Sequence, residues 1–181
     1  MKKLVCLLMI VLTNLAFSQG TAGSDAGFEP RCLVDMQTAG VLEKTFFAFS
    51  SDIMPAGVVV TKMEVGVFKD FSFGISYGAE NIIGSGSPNW YRLPGVNVKL
   101  RIMDETTSYP GVSLGFDSQG KGRYQGRYEI KAPGIFCAAS KNYQFLGFLS
   151  MHALMNYSAL ESGDDEKDIN FIVVIVVCIN N

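Results

Sequence analysis

Between Val58 and Glu80 the chain reads VVVTKMEVGVFKDFSFGISYGAE, and this stretch restricts the fold more than any other. From Phe71 onward, Phe71, Phe73, Ile75, Tyr77 and Ala79 alternate with Ser72, Gly74, Ser76, Gly78 and Glu80. A helix would scatter these two sets around its axis. A strand puts each set on its own face. The preceding run behaves alike, with Val59, Thr61, Met63, Val65 and Val67 opposite Lys62, Glu64 and Gly66. Only Lys69-Asp70 separates the runs, which predicts a tight hairpin.

The same pattern returns along the chain. Thr45 to Asp52 reads as a first strand, ended by the turn residues Pro55 and Gly57. Val96 to Met103, Gly111 to Asp117, Gly134 to Asn142 and Leu149 to Ser158 follow, and Ile169 to Cys178 is a last apolar run without alternation. After the Lys69-Asp70 turn the connections run long, short, long, short, long. Alternate links of an up-and-down sheet lie at the same end, so the long links gather at one end and the short ones at the other. That is the plan of a membrane barrel with tight periplasmic turns and larger outer loops. It predicts that Ser85–Asn89, Gly120–Gly126 and Gly163–Lys167 lie outside the cell and Lys69-Asp70 in the periplasm. The expected fold class is therefore all-β, an antiparallel up-and-down transmembrane β-barrel of about eight strands. An incomplete C-terminal end is a second expectation, because the last run has lost its period.

Alternation alone does not say which face is inside. A soluble lipocalin-like barrel would turn its apolar face inward around a ligand. A membrane barrel turns that face to lipid. Charged residues make up 18% of the chain, below the roughly 25% of ordinary soluble domains. The apolar faces of the clearest strands carry no charge. The membrane reading makes Val65, Phe73, Ile75, Val98, Leu100, Leu114 and Met151 lipid-facing. It places Lys62, Glu64, Lys99, Arg101, Asp117 and His152 in a polar network inside the lumen.

Residues 1–18 have the form of a cleaved export signal: Lys2 and Lys3, an apolar run, then Ala16 and Ser18 before a cut at Gln19. The domain plan is a signal peptide over 1–18, a periplasmic N-terminal segment over 19–44 and an outer-membrane barrel over 45–178. The net charge of −2 gives no electrostatic case for nucleic acid. Cys32, Cys137 and Cys178 follow the signal with no metal-ligand spacing, too few for a disulfide framework. His152 is the only histidine, so no two-histidine metal site exists. Ser150 and Ser158 share its strand face without forming a nucleophile–base–acid set. The acidic run Gly163–Asp168 lacks EF-hand spacing. Gly84-Ser85-Gly86 lacks the lysine of a phosphate loop. Trp90, Tyr91, Tyr124 and Tyr128 read as interfacial or loop-packing aromatics, with sugar stacking as the functional alternative. No catalytic, cofactor or metal residue is assigned, and the chain does not read as an enzyme.

The segments LVDMQTAG, FGISYGAENIIGSGSPNW, GVSLGFDSQG, ASKNY and HALMNYS resemble small bacterial outer-membrane barrels grouped with YjbH-type, exopolysaccharide-associated proteins. The resemblance spans roughly Arg31 to Lys167. Gln37 stands where that pattern has proline, and the chain ends without the terminal aromatic of bacterial barrel-assembly signals. The resemblance implies a cell outer-membrane location. It implies outer-membrane lipid, the barrel-assembly machinery and cell-envelope polysaccharide as partners. The expected role is structural, surface-interacting or accessory to export. Two alternatives are a transport component for an exported polysaccharide or small solute, and a secreted soluble ligand-binding barrel.

Overall fold

The computed structural model describes residues 21–23, 29–144, 148–158 and 169–178. The expected signal peptide and the acidic run Gly163–Asp168 lie outside the described residues. Thirteen strands occur among them. The first two are short: β1 (Cys32–Leu33) and β2 (Met36–Gln37) form a small hairpin. Next come β3 (Phe47–Met54), β4 (Val58–Phe68) and β5 (Phe71–Glu80). The two-residue β6 (Asn89–Trp90) precedes β7 (Gly95–Met103) and β8 (Gly111–Asp117). A second small hairpin, β9 (Lys121–Tyr124) and β10 (Tyr128–Ile130), leads to β11 (Gly134–Gln144), β12 (Phe148–Tyr157) and β13 (Ile169–Cys178).

Eight of these strands make one wall in the order β13-β12-β11-β8-β7-β5-β4-β3. Every neighbouring pair in it is antiparallel. The wall curls into a half-barrel. The expected strands all appear, within a few residues of their expected ends. The first begins at Phe47 rather than Thr45, whose φ of 73° takes it out of extended backbone. Two long connections also carry strands of their own, β6 in one and the β9–β10 hairpin in the other.

Burial follows the alternation. In β5 the phase of Ser72, Gly74, Ser76 and Gly78 is buried, whereas Phe73, Ile75 and Tyr77 are exposed. Residues paired across adjacent strands share a face, so the phase carries over. Phe73 lies beside Val98, Leu100 beside Leu114, and Ile75 beside Met63. The convex face is thus apolar and open, and the concave face polar and covered. This inverts the usual arrangement of a water-soluble sheet, which buries its apolar side.

What covers the concave face is the N-terminal segment. Thr21 pairs with Val41, so the segment leaves and returns at one end of the wall. That end carries the short links, because the Glu105 amide donates to the Ala22 carbonyl at 2.7 Å. The β1–β2 hairpin is the far turn of this loop. Thr45 N–H then donates to the Gly66 carbonyl at 2.9 Å as the chain enters β3. Glycine on the concave phase permits this approach. A Cβ at Gly66 would overlap the Glu43 carbonyl, and one at Gly111 would crowd Ala22. The apolar core is correspondingly small. Met36, Phe136, Ala138 and Leu154 cluster with Leu33 and Val174 against them.

The last apolar run is a strand. Ile169–Cys178 pairs with β12 from Ile169↔Tyr157 to Cys178↔Phe148. Its Val174, paired with the inward His152, packs against the apolar cluster, so an apolar residue stands on the inward phase of this strand. Expected closure is not observed. Among the described residues β3 pairs only with β4, and β13 only with β12.

Candidate functional site

The concave face and its inner segment meet through charged and polar side chains at three levels. At the short-link end, Arg101 donates to the Thr21 carbonyl at 2.7 Å and bridges to Asp70 and Asp104. In the middle, Arg31 of the inner segment donates to Glu64 at 2.6 Å, and Ser72 donates to the other Glu64 oxygen at 2.9 Å. Lys99, 1% exposed, donates to the carbonyls of Arg31 and Gly40 at 3.0 and 3.2 Å. Nearer the long-link end, Asp117 accepts from Lys62 at 3.1 Å, Asn97 at 3.0 Å and Gln37 at 3.4 Å. A buried ion survives only when its charge and hydrogen-bonding capacity are met, and these contacts meet them between wall and segment.

A fourth set lies on the β11–β12 side. Ser140 Oγ accepts from the Ala39 amide at 3.0 Å and lies 2.9 Å from His152 Nδ1. The direction of the Ser140–His152 bond follows the imidazole tautomer, since the hydroxyl can accept from both Ala39 and Nδ1 or donate to Nδ1. Glu29 Oε1 is 3.8 Å from Nδ1, and both side chains are fully buried. Burial pushes the Glu29 carboxyl up to about 7, and Glu105 adds to the rise while Lys99 and Arg101 oppose it. Ser140 also stands beside this carboxyl and, ahead of Lys99 and Arg101, opposes the rise. A serine, histidine and carboxylate therefore do meet, but in the wrong order for acyl transfer. The hydroxyl faces Nδ1 beside the carboxylate, and no exposed atom of the set meets a substrate.

The long-link end forms a mouth. Lys121 bridges Asp35 of the inner hairpin at 3.0 Å and Asp52 of β3 at 2.7 Å, and these carboxylates hold its ammonium above the usual lysine range. The cavity there is about 30 Å³ and is lined by Cys32, Asp35, Gln37, Asp117 and Lys121 among others. That is room for about one water. Tyr77 stacks on Trp90 at 5.7 Å, and Tyr128 meets Tyr91 and Tyr124 edge-on at 4.8 and 5.0 Å. These aromatics pack the connections onto the wall. Cys32, exposed at the mouth, and the half-buried Cys137 are free thiols. No group of three metal-ligating side chains occurs among the described residues.

Lys62, Glu64, Lys99, Arg101, Asp117 and His152 all stand on the concave face. They do not form one network. Glu64 and Lys99 meet at Arg31, Lys62 meets Asp117, Arg101 turns to the short-link end, and His152 belongs with Ser140 and Glu29. Val65, Phe73, Ile75, Val98, Leu100, Leu114 and Met151 share the convex face. The alternation did not reveal Glu29, Arg31, Gln37 or Glu105, which sit outside regular long strands. A signal for the segment was present: Gly66 and Gly111 fall on the polar phase and approach Glu43 and Ala22, and glycine inside a strand marks a close neighbour.

No protein-family model, curated protein or solved structure matches the chain.

Proposed function

We propose that this chain is a bacterial outer-membrane β-barrel protein with a structural role or an accessory role in export, and with no catalytic activity of its own. One observation carries this reading. The wall exposes an apolar convex face and buries its polar face against an inner segment. In lipid that polarity is favourable. In water it would leave a contiguous apolar surface far beyond what soluble monomers tolerate. Lys141, the charged residue on the outward phase, lies at the short-link rim, where it bridges Glu105 at 3.6 Å. A soluble ligand-binding barrel would need an apolar interior, whereas this interior is ionic and filled. An open transport pore would need the inner segment displaced, since that segment's backbone is seated on the concave face by Lys99 and Arg101. The long connections at the mouth would then be the surface offered to cell-envelope polysaccharide or other partners.

The test is partition and placement of charge. Exported protein is expected in the outer-membrane fraction and to need detergent for extraction. Ile75→Lys and Leu100→Lys, on the convex face, should each cost roughly 2–4 kcal/mol of stability in lipid vesicles. Ser85→Lys, in the exposed β5–β7 connection, should cost little. Protein that stays in solution without detergent would sink the reading, as would equal effects of Ile75→Lys and Ser85→Lys. Steady planar-bilayer conductance of the unsubstituted chain would move the role from accessory to transport.

A further inference from the structure

Two edges of the wall are left with no strand beside them among the described residues. One is the outer side of β3, eight residues long, and the other the outer side of β13, ten residues long. Soluble sheets guard such edges with prolines, lysines or bulges. β13 reads INFIVVIVVC and has none of these, and β3 carries only Asp52 as a charge. The strand count also matters. With eight antiparallel strands in the wall, β3 and β13 run in opposite directions. For copies inserted in a membrane with the same orientation, the two edges are therefore complementary to each other and not to themselves.

Joining them within one chain meets a steric obstacle. An eight-stranded barrel has an interior just wide enough to be filled by side chains. Here the concave face already holds backbone, from Thr21–Gly23 and Glu29–Leu42, seated by carbonyl contacts to Lys99 and Arg101. A ring wide enough to keep that segment needs more strands than one wall supplies. We infer that two copies of this chain close one barrel. β3 of each pairs with β13 of the other across a two-fold axis, and the two inner segments lie side by side in a lumen of twice the strand number. Closed two-fold assembly is the commonest oligomeric form, and every contact in this ring repeats the antiparallel ladder already present. The inference rests on the lipid-facing reading, because lipid makes an unpaired edge untenable: each unsatisfied backbone group there costs several kcal/mol.

The experiment uses the full chain with its four cysteines replaced by serine, carrying Ser51→Cys on β3, Val173→Cys on β13, or both. A short thiol cross-linker is added to protein in detergent micelles. Each single variant alone should stay uncross-linked, because like edges lie on opposite sides of the ring. A mixture of the two singles should give a species of twice the chain mass, and the double variant should link fully into that species. The unsubstituted chain should sediment in detergent as two copies. An internal link in the double variant at single-chain mass would overturn the inference, because the wall would then close on itself. A single-copy species with no link would overturn it too, as would linking of either single variant alone. Vesicle flotation of the same samples reads the lipid-facing proposal separately. Protein that floats but sediments as one copy fails only the two-copy ring. Protein that remains in solution yet links β3 to β13 of another copy fails only the lipid assignment.

Discussion

Glu64 is the side chain by which the wall grips its inner segment, and Glu64→Ala is the sharpest test of that grip. The carboxylate is 5% exposed, accepts from Arg31 at 2.6 Å and Ser72 at 2.9 Å, and stands among the cations Lys62 and Lys99. Removing it deletes two hydrogen bonds to a charged acceptor, each worth about 1.5–3 kcal/mol. It also leaves buried cations without their counter-charge, a change that typically costs about 3–5 kcal/mol. The first route gives about 3–6 kcal/mol and the second about 3–5 kcal/mol for the same contacts, so the expected loss is about 3–5 kcal/mol, a large share of a typical domain's stability. The assay is urea unfolding in detergent micelles, followed by fluorescence of Trp90, the single tryptophan, which is stacked on Tyr77. Arg31→Ala and the double variant complete a cycle, in which the double should cost clearly less than the sum of the singles. Trypsin offers a second readout, since cleavage after Arg31 should accelerate in Glu64→Ala as the segment leaves the wall. A loss under about 1 kcal/mol, or strict additivity in the cycle, would refute a load shared between wall and segment.

Two further outcomes are expected. Gly66→Val should destabilise by about 1–3 kcal/mol, because its side chain would occupy the place of the Glu43 carbonyl; unchanged urea midpoints would contradict the close approach. Glu29 makes stability depend on pH in a defined direction. The folded chain keeps its proton up to about pH 7, whereas the unfolded chain releases it near the ordinary 4.5. Its contribution is thus complete below the lower value, declines as pH rises between the two, and is lost above the upper one, by roughly 3 kcal/mol at most. His152, Glu105, Lys99 and Arg101 are the ionisable groups facing it. Glu29→Gln should flatten that slope, and an unaltered pH profile of the unfolding midpoint would rule the carboxyl out as its source.

The strand plan was legible because it is local. Alternation with a period of two reports which residues share a face, and the lengths of the links report how strands succeed one another. From these alone the eight wall strands, their antiparallel order and the opposite placement of Phe73 and Ser72 follow. Even β13, whose sequence alternates poorly, is recognisable as an apolar run of strand length.

The return of the N-terminal segment into the concave face was decided only in three dimensions. Its contacts join residues far apart in the chain, such as Arg31 with Glu64, Gln37 with Asp117 and Ala39 with Ser140. Several use backbone groups, as when Lys99 binds the carbonyls of Arg31 and Gly40. A carbonyl acceptor leaves no mark in side-chain chemistry, so residues 29–42 read as an aperiodic linker. The width of the wall was hidden for the same reason. The local period sets which way each side chain points, but whether the two edge strands meet depends on what fills the space between them. Here that filling is the chain's own backbone.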